Sequence, residues 1–343
     1  MTGRERTLAA INGKYTDRSP VDFFAEDTAL NKLFAYLGHN DLELFLDDMC
    51  VDIRGFQAKE PEYKQSDNGI YENMWGERFK FLSTEWGDVR EDTYGALYNA
   101  TSLDEIKAFP WPKNDMMDYS LLHEQIIKAK NKNLAVRYGF ADIWQRPALV
   151  RGLENHLADM VDNPEHVKYM SRKYTDFYLE EYRRAWDASN GEIDIFLVIS
   201  DVGTQRGPLI SLKMFNKFIV PYLIEMTQLI HSFGAKCMFH TCGDIYEFIP
   251  SIINCGVDIL HPIQPVGSNM KPEALKKYSG QICFHGGIDI QWLLPKGTPG
   301  EIREEIRHYS DILNPGYIVC PAHNIQPDTP AENIIAFYEA KNK

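Results

Sequence analysis

His240 and Cys242 stand two residues apart in FHTCGD (239–244), at the end of an apolar run. Imidazole and thiolate are the two preferred protein ligands of zinc. In a tight turn beyond a strand end, residues i and i+2 can face one centre. A catalytic zinc takes three protein ligands and keeps a fourth position open. The third ligand must then come from another strand end. Cys320 and His323, in VCPAHN (319–324), are chemically suited, and His261 and His285 also qualify. The bland alternative is packing, because a lone cysteine is among the most buried residue types.

Other polar residues gather at similar places. Asp201 opens DVGTQRGPLIS (201–211), where Gln205 and Arg206 follow on a glycine-containing turn. Asp201 and Gln205 are candidates to hold substrate or orient a ligand, and Arg206 to pair with an anionic group. Glu26, in FFAEDT, is a candidate acid, base or further ligand. Gln264, in HPIQP, and His285, in CFHGGID, are candidates for substrate contact. The two glycines after His285 permit close backbone approach. For each, a solvated loop residue or a carboxylate satisfying backbone N–H groups is the ordinary alternative.

Positioning these residues needs a regular frame. Eight β-branched or aromatic runs recur: 20–24, 51–55, 134–140, 194–200, 235–240, 257–262, 281–286 and 317–322. Amphipathic stretches lie between most of them. Thr2 with Glu5 reads as a capping box, and Ser211 heads a long helix that Gly234 stops. Thr298-Pro299 with Glu301, and Thr329-Pro330 with Glu332, place a cap, a first-turn proline and a glutamate. Alternating strands and helices predict a parallel sheet, and eight units predict a closed (β/α)8 TIM barrel in a single domain, 1–343. Active sites in such barrels lie at the carboxyl ends of the strands. His240, His261, His285 and His323 fall at or just past four consecutive strand ends, the fifth to the eighth. Residues 62–100 break the rhythm. Their DNG turn and alternating aromatic residues predict a β-hairpin insertion between strands 2 and 3, a flap or a surface decoration.

Bulk properties narrow the classes. Of 343 residues, 44% are hydrophobic and 25% charged, an ordinary globular composition. A net charge of −13 argues against nucleic acid and anionic membrane surfaces. No run of 18 apolar residues occurs, and the N-terminus lacks an apolar signal core, so a cytoplasmic protein is expected. Six irregularly spaced cysteines make no disulfide framework.

From about residue 140 onward the chain resembles the uroporphyrinogen decarboxylase superfamily, and more closely its cobalamin-dependent methyltransferase branch. The stretches that carry this are RGLENHLADMVDNPEHV (151–167), DVGTQRGPLIS, HTCGD, GVDILHPIQP (256–265), CFHGGID and PAHNIQPDTPAENI (321–334). The resemblance implies a (β/α)8 barrel. In that branch a HxC pair and a later cysteine bind zinc, which activates a thiol or polarises a methyl donor. The later ligand precedes a TPxEN helix start, here 329–333. In that register it falls on His323 and not on Cys320, so His replaces Cys and the implied metal site is His240, Cys242 and His323.

Two function classes follow. The first is a zinc-dependent methyltransferase moving a methyl group between a small methylated compound, such as a methoxyarene (an O-demethylation) or a thiol, and cobalamin on a partner corrinoid protein. The chain has no DxHxxG-type cobalamin-binding segment of its own. The second is uroporphyrinogen decarboxylase itself. That enzyme carries an N-terminal RQAGR segment, whereas RSPVDFFAEDTALNKLF (18–34) offers the acidic Glu26 and Asp27. A non-catalytic small-molecule binder of the same fold is a third reading.

Overall fold

A computed structural model describes all residues except 67, 86, 266–268 and 341–343. Seven parallel strands form one sheet in sequential order: β1 (Ile53–Phe56), β2 (Ala135–Asp142), β3 (Ile195–Ile199), β4 (Lys236–His240), β5 (Ile259–Ile263), β6 (Cys283–Gly286) and β7 (Tyr317–Ile318). The runs of β3, β5 and β6 are buried on both faces, as a sheet covered by helices requires. Ile53 of β1 and Ile318 of β7 join Ala135, Ile195, Leu197, Met238, Ile259 and Cys283 in one buried cluster, separate from the larger core. First and last strands can share a cluster only if the sheet curls around it.

The first expected strand, 20–24, is not a member of this sheet. Its neighbourhood forms isolated parallel bridges, Val21 with Val319 and Ala25 with Ile325. Asp52 N–H donates to the Val21 carbonyl at 2.9 Å, and Val319 N–H to that of Pro20 at 2.8 Å. Regular pairing fails for local reasons. Pro20 has no N–H, the Val21 N–H donates to the Asp52 carboxylate at 2.8 Å, and Asp22 accepts from its neighbour Phe23.

Where a hairpin is expected, residues 64–92 form a four-stranded antiparallel sheet of Lys64–Gln65, Tyr71–Glu72, Arg78–Thr84 and Gly87–Asp92. Asp67 of the expected DNG turn lies outside the described residues. Trp75, between the second and third strands, stacks on Tyr174 at 4.4 Å between ring centroids. Tyr174 belongs to the helix Pro164–Ala188, so one indole pins the small sheet to the main fold.

The caps at Thr2 and Thr298 form as expected, each with its reciprocal glutamate. Ser211 caps Leu212–Phe218, but the expected long helix breaks at Ile219 before Val220–Ser232. Pro221 cannot supply the N–H that a continuous helix needs there. Thr329 does not cap. The last helix, Ala331–Glu339, starts after Pro330, and the Thr329 hydroxyl is buried without a partner. No helix among the described residues is long and apolar enough to cross a membrane.

Candidate metal centre

His240 ends β4 in register with His261 of β5 and Ile199 of β3. Side chains in register on parallel strands share a face. His240 and His261 therefore stand on the face of Met238 and Ile259, one step nearer the carboxyl ends, above the apolar interior. His285 occupies the comparable place on β6. The result is a row of rings, with centroids 4.7 Å apart for His240–His261, 4.6 Å for His261–His285 and 5.9 Å for His240–His323.

Beyond the strand ends, two loops lock together. The Cys242 N–H donates to Asp201 Oδ1 at 2.8 Å, and the Asp244 N–H to the Thr204 carbonyl at 2.8 Å. Only glycine fits this seam. A Cβ on Gly203 would lie 2.2 Å from the Cys242 carbonyl oxygen, and one on Gly243, at φ +81°, 2.5 Å from the Thr204 nitrogen. Gly243 N–H also donates to Gln264 Oε1, whose amide reaches toward Ala322. The turns carrying Asp201, Cys242, Gln264 and His323 are thereby tied to one another.

Within this frame, ligand atoms of His240, Cys242 and His323 all lie within 4.8 Å of one another. His240 Nε2 is 3.4 Å from Cys242 Sγ and 3.3 Å from Asp201 Oδ1. Its other nitrogen, Nδ1, lies 2.7 Å from His261 Nδ1. That contact commits Nδ1 and leaves Nε2 to face the thiol. Two imidazoles and a thiol converging from two loops suit a tetrahedral metal with one open position.

The electrostatics agree with a site that gathers charge. Burial opposes a charged His240 ring, but Cys242 and Asp201 outweigh it and raise His240 to about 10. Burial also pushes the Cys242 thiol up, although His240 pulls it down. Both shifts cannot rest on the thiolate near neutrality, because a thiol so raised is uncharged. Asp201 is the anion that sustains His240. Burial raises its carboxyl, and His240 more than offsets this, holding it below the usual range. Burial, then the neighbouring histidines His285 and His240, drive His261 well down, so it stays neutral and can accept from His240.

The remaining expected residues fall as follows. Cys320 is fully buried, with its thiol raised by burial, and lies outside the converging set. Glu26 is half-buried and accepts from Asn324 Nδ2 at 2.7 Å, next to His323 in sequence. Gln205 and Gln264 line one small recess with Gly243 and Ala322. Arg206 is exposed at the tip of the Gly203–Pro208 ribbon. His285 has no exposed surface and bonds Asp22 at 3.1 Å through Nε2, while Arg137 reaches the same carboxylate oxygen at 3.3 Å. Sequence reasoning missed three members of this polar layer. They are Asp22 and Arg137, which partner His285, and Asp142 at the end of β2, raised to about 7 by burial and further by Asp201. It also missed that His261 partners His240. The signal for Asp142 was present: like Asp201, it is a carboxylate where a strand ends.

A curled parallel α/β sheet with an imidazole–thiol–imidazole cluster at its strand ends defines a barrel-like α/β protein, in which His240, Cys242 and His323 could hold a metal ion. The chain belongs to the uroporphyrinogen decarboxylase (URO-D) family, whose model matches residues 142–343. No curated protein matches it by sequence. Among solved structures it is similar to a methyltransferase from Methanosarcina mazei, at 16% identity and a TM-score of 0.73, covering 100% of this chain and 98% of that one. It is also similar to a B12-independent methionine synthase from Shewanella sp. W3-18-1, at 12% identity and a TM-score of 0.49, covering 94% of this chain and 92% of that one.

Proposed function

We propose that this protein is a zinc-dependent methyltransferase that moves a methyl group between a small methylated compound and a corrinoid-binding partner protein. The observation that carries this reading is the convergence of His240, Cys242 and His323 within 4.8 Å. Membership of the URO-D family and the likeness in fold to a methyltransferase support it. We further propose that residues 20–24 close the sheet into a (β/α)8 barrel within one domain, supported by their bonds to 52 and 319.

His240 Nε2, Cys242 Sγ and one His323 nitrogen are the ligands. Zinc bound there supplies Lewis-acid polarisation of the heteroatom that carries or receives the methyl group. With His for Cys at the third position, the donor set is less electron-rich, which suits an ether or alcohol oxygen better than a thiolate. Asp201 fixes the Cys242 loop through its N–H and stabilises charge on His240. Glu26 is placed by Asn324 to accept or return a proton beside His323. Gln264 and Gln205 orient substrate across the recess they line, with Arg206 available to an anionic substituent and His285 bracing the layer beneath. The sheet at 64–92 serves as a flap over the mouth.

Metal analysis of the wild type and of Cys320→Ala, Cys242→Ala and His323→Ala tests the ligand set. One zinc per chain is expected in the first two and none in the others. Full zinc in His323→Ala with loss in Cys320→Ala would overturn the assignment. Incubation with methylcobalamin and a panel of methoxyarenes and thiols tests the reaction. Decarboxylation of a porphyrinogen without methyl transfer would replace it with the decarboxylase reading, which the acidic Glu26 and Asp27 disfavour.

A further inference from the structure

A second polar centre lies outside the sheet, between the ends of β1 and β2 and the helix Pro164–Ala188. It is a cavity of about 560 Å³, within the ~300–1,000 Å³ typical of small-ligand sites. Its apolar walls include Met117, Phe140 and Phe177, and Tyr178 adds an aromatic ring. Into it faces Glu181, 4% exposed, on the buried stripe of a helix otherwise lined there by Tyr174, Phe177, Tyr178 and Tyr182. Glu181 Oε1 accepts from the Tyr138 hydroxyl, but Oε2 is buried without a partner, and so is the Tyr178 hydroxyl.

A buried carboxyl oxygen left unbonded costs about 1–3 kcal/mol, and more if charged. A fold tolerates that most readily where a ligand supplies the missing donor. The charges around the cavity decide which ligand. Arg146 lines it but is already engaged, at 2.8 Å by Glu60 and 3.5 Å by Glu77, and Arg90 reaches Glu77 at 2.9 Å. Among the described residues, Glu181 has no cationic partner within salt-bridge distance. Lys59 also lines the cavity, but an anionic ligand beside it would still meet Glu60 and Glu62. A neutral ligand would satisfy one hydrogen bond. A protonated amine would donate to Oε2, with the proton that burial keeps on Glu181 released to water, and set its cationic end against aromatic faces.

We propose that this cavity is a binding site for a small organic ammonium carrying an apolar or aromatic body, with Glu181 as its ion-pair partner and Tyr178 as a second hydrogen-bonding contact. The proposal stands on this cavity alone and does not depend on the metal centre. Burial raises Glu181 to about 8, and Glu60 raises it further against the pull of Tyr138 and Arg146. Glu181 therefore holds its proton near neutrality, and an ammonium bound against it would pull it back down.

Calorimetry with benzylamine, benzyl alcohol and benzoate tests it. Benzylamine is expected to bind wild type at least about tenfold more tightly than benzyl alcohol, with no binding of benzoate. Glu181→Gln is expected to erase the preference for the amine, and Tyr178→Phe to weaken binding severalfold. Cys242→Ala is expected to bind as wild type does. Equal affinity for amine and alcohol, an unchanged preference in Glu181→Gln, or no binding of any probe would overturn the proposal. Should Glu181→Gln fail to fold, the ranking of the three probes on wild type decides it. Loss of amine binding in Cys242→Ala would tie the cavity to the metal centre and overturn its independence.

Discussion

The ends of β4 to β7 and the space beside β2 both bury polar groups, and they satisfy them in different ways. At the strand ends most of the groups bond one another, with His261 Nε2 and His285 Nδ1 the buried nitrogens left over. His240 meets His261, Asp201 meets His240 and the Cys242 N–H, and His285 meets Asp22. Strand register delivers these side chains to one level, and glycine seams hold the loops above them. Beside β2 the polar groups come from a helix and are left half-satisfied, as Glu181 and Tyr178 show. The first arrangement is held in place by its own cross-bonds. The second carries an energetic deficit that a ligand can relieve. Preorganised centres lose function when one member is removed. Deficient ones gain stability when the deficit is removed.

The largest effect expected is at the metal centre. On the proposed function, Cys242→Ala should slow methyl transfer about 10³-fold, for the several kcal/mol that a Lewis acid contributes. Circular dichroism should be unchanged, because the half-buried thiol bears little packing. Transfer at wild-type rate with no zinc bound would remove the metal from the comparison altogether.

His261→Phe separates positioning from structure. An aromatic ring is kept, and a buried nitrogen without a partner, Nε2, is removed. What is lost is the acceptor for His240 Nδ1. Zinc affinity should fall by roughly 10- to 100-fold, as for other groups that orient a metal ligand. Urea unfolding should show a loss of about 1–3 kcal/mol, because the His240 Nδ1 is left without its partner. Unchanged zinc affinity would mean that the 2.7 Å contact does not orient His240.

The two regions also differ in how far they could be read from sequence. A histidine or cysteine at a strand end is visible because strands announce themselves by apolar runs, and barrel geometry says which end matters. His240, Cys242 and His323 were legible on that basis, with the family register choosing His323 over Cys320. The partner of His240 was not, because ring contacts between His240 and His261 depend on register across two strands. The first strand was legible only in part, for a related reason: it makes isolated parallel bridges where a full ladder was expected. Its apolar pattern is sound, but Pro20 and the side-chain bond from Asp52 to the Val21 N–H consume what pairing needs. Glu181 was illegible. On a helix of 25 residues with many charges, a single inward glutamate looks like any solvated one until the packing of Tyr138 and Tyr182 is known.

The deficit at Glu181 has a signature in pH. Folded, Glu181 keeps its proton up to about 8, and unfolded it loses it near 4.5. Between those values the folded chain holds more protons, so stability falls as pH rises, by on the order of a few kcal/mol in all. Asp142 adds a slope of the same sign between 3.8 and about 7. Glu181→Gln should flatten the decline between pH 5 and 8 in urea unfolding and leave the part due to Asp142. An unaltered slope would show that the carboxyl is not the source and that the cavity carries no such deficit.

The smallest effect repeats the contrast between satisfied and unsatisfied groups on two threonines. Thr298 is a complete cap. Its hydroxyl accepts from the Glu301 N–H at 3.3 Å, and Glu301 returns a bond to the Thr298 N–H at 2.8 Å. Thr329 sits before a helix with the same Thr-Pro start, yet its hydroxyl is buried and unbonded. Thr298→Ala should cost about 1 kcal/mol. Thr329→Val keeps the shape and removes a buried hydroxyl that makes no bond, so it should be neutral or stabilising by up to about 1 kcal/mol. Chemical denaturation of the two variants side by side checks this. A loss in Thr329→Val as large as that in Thr298→Ala would show that the hydroxyl is bonded in solution, and that burial without a partner does not mark a deficit in this protein.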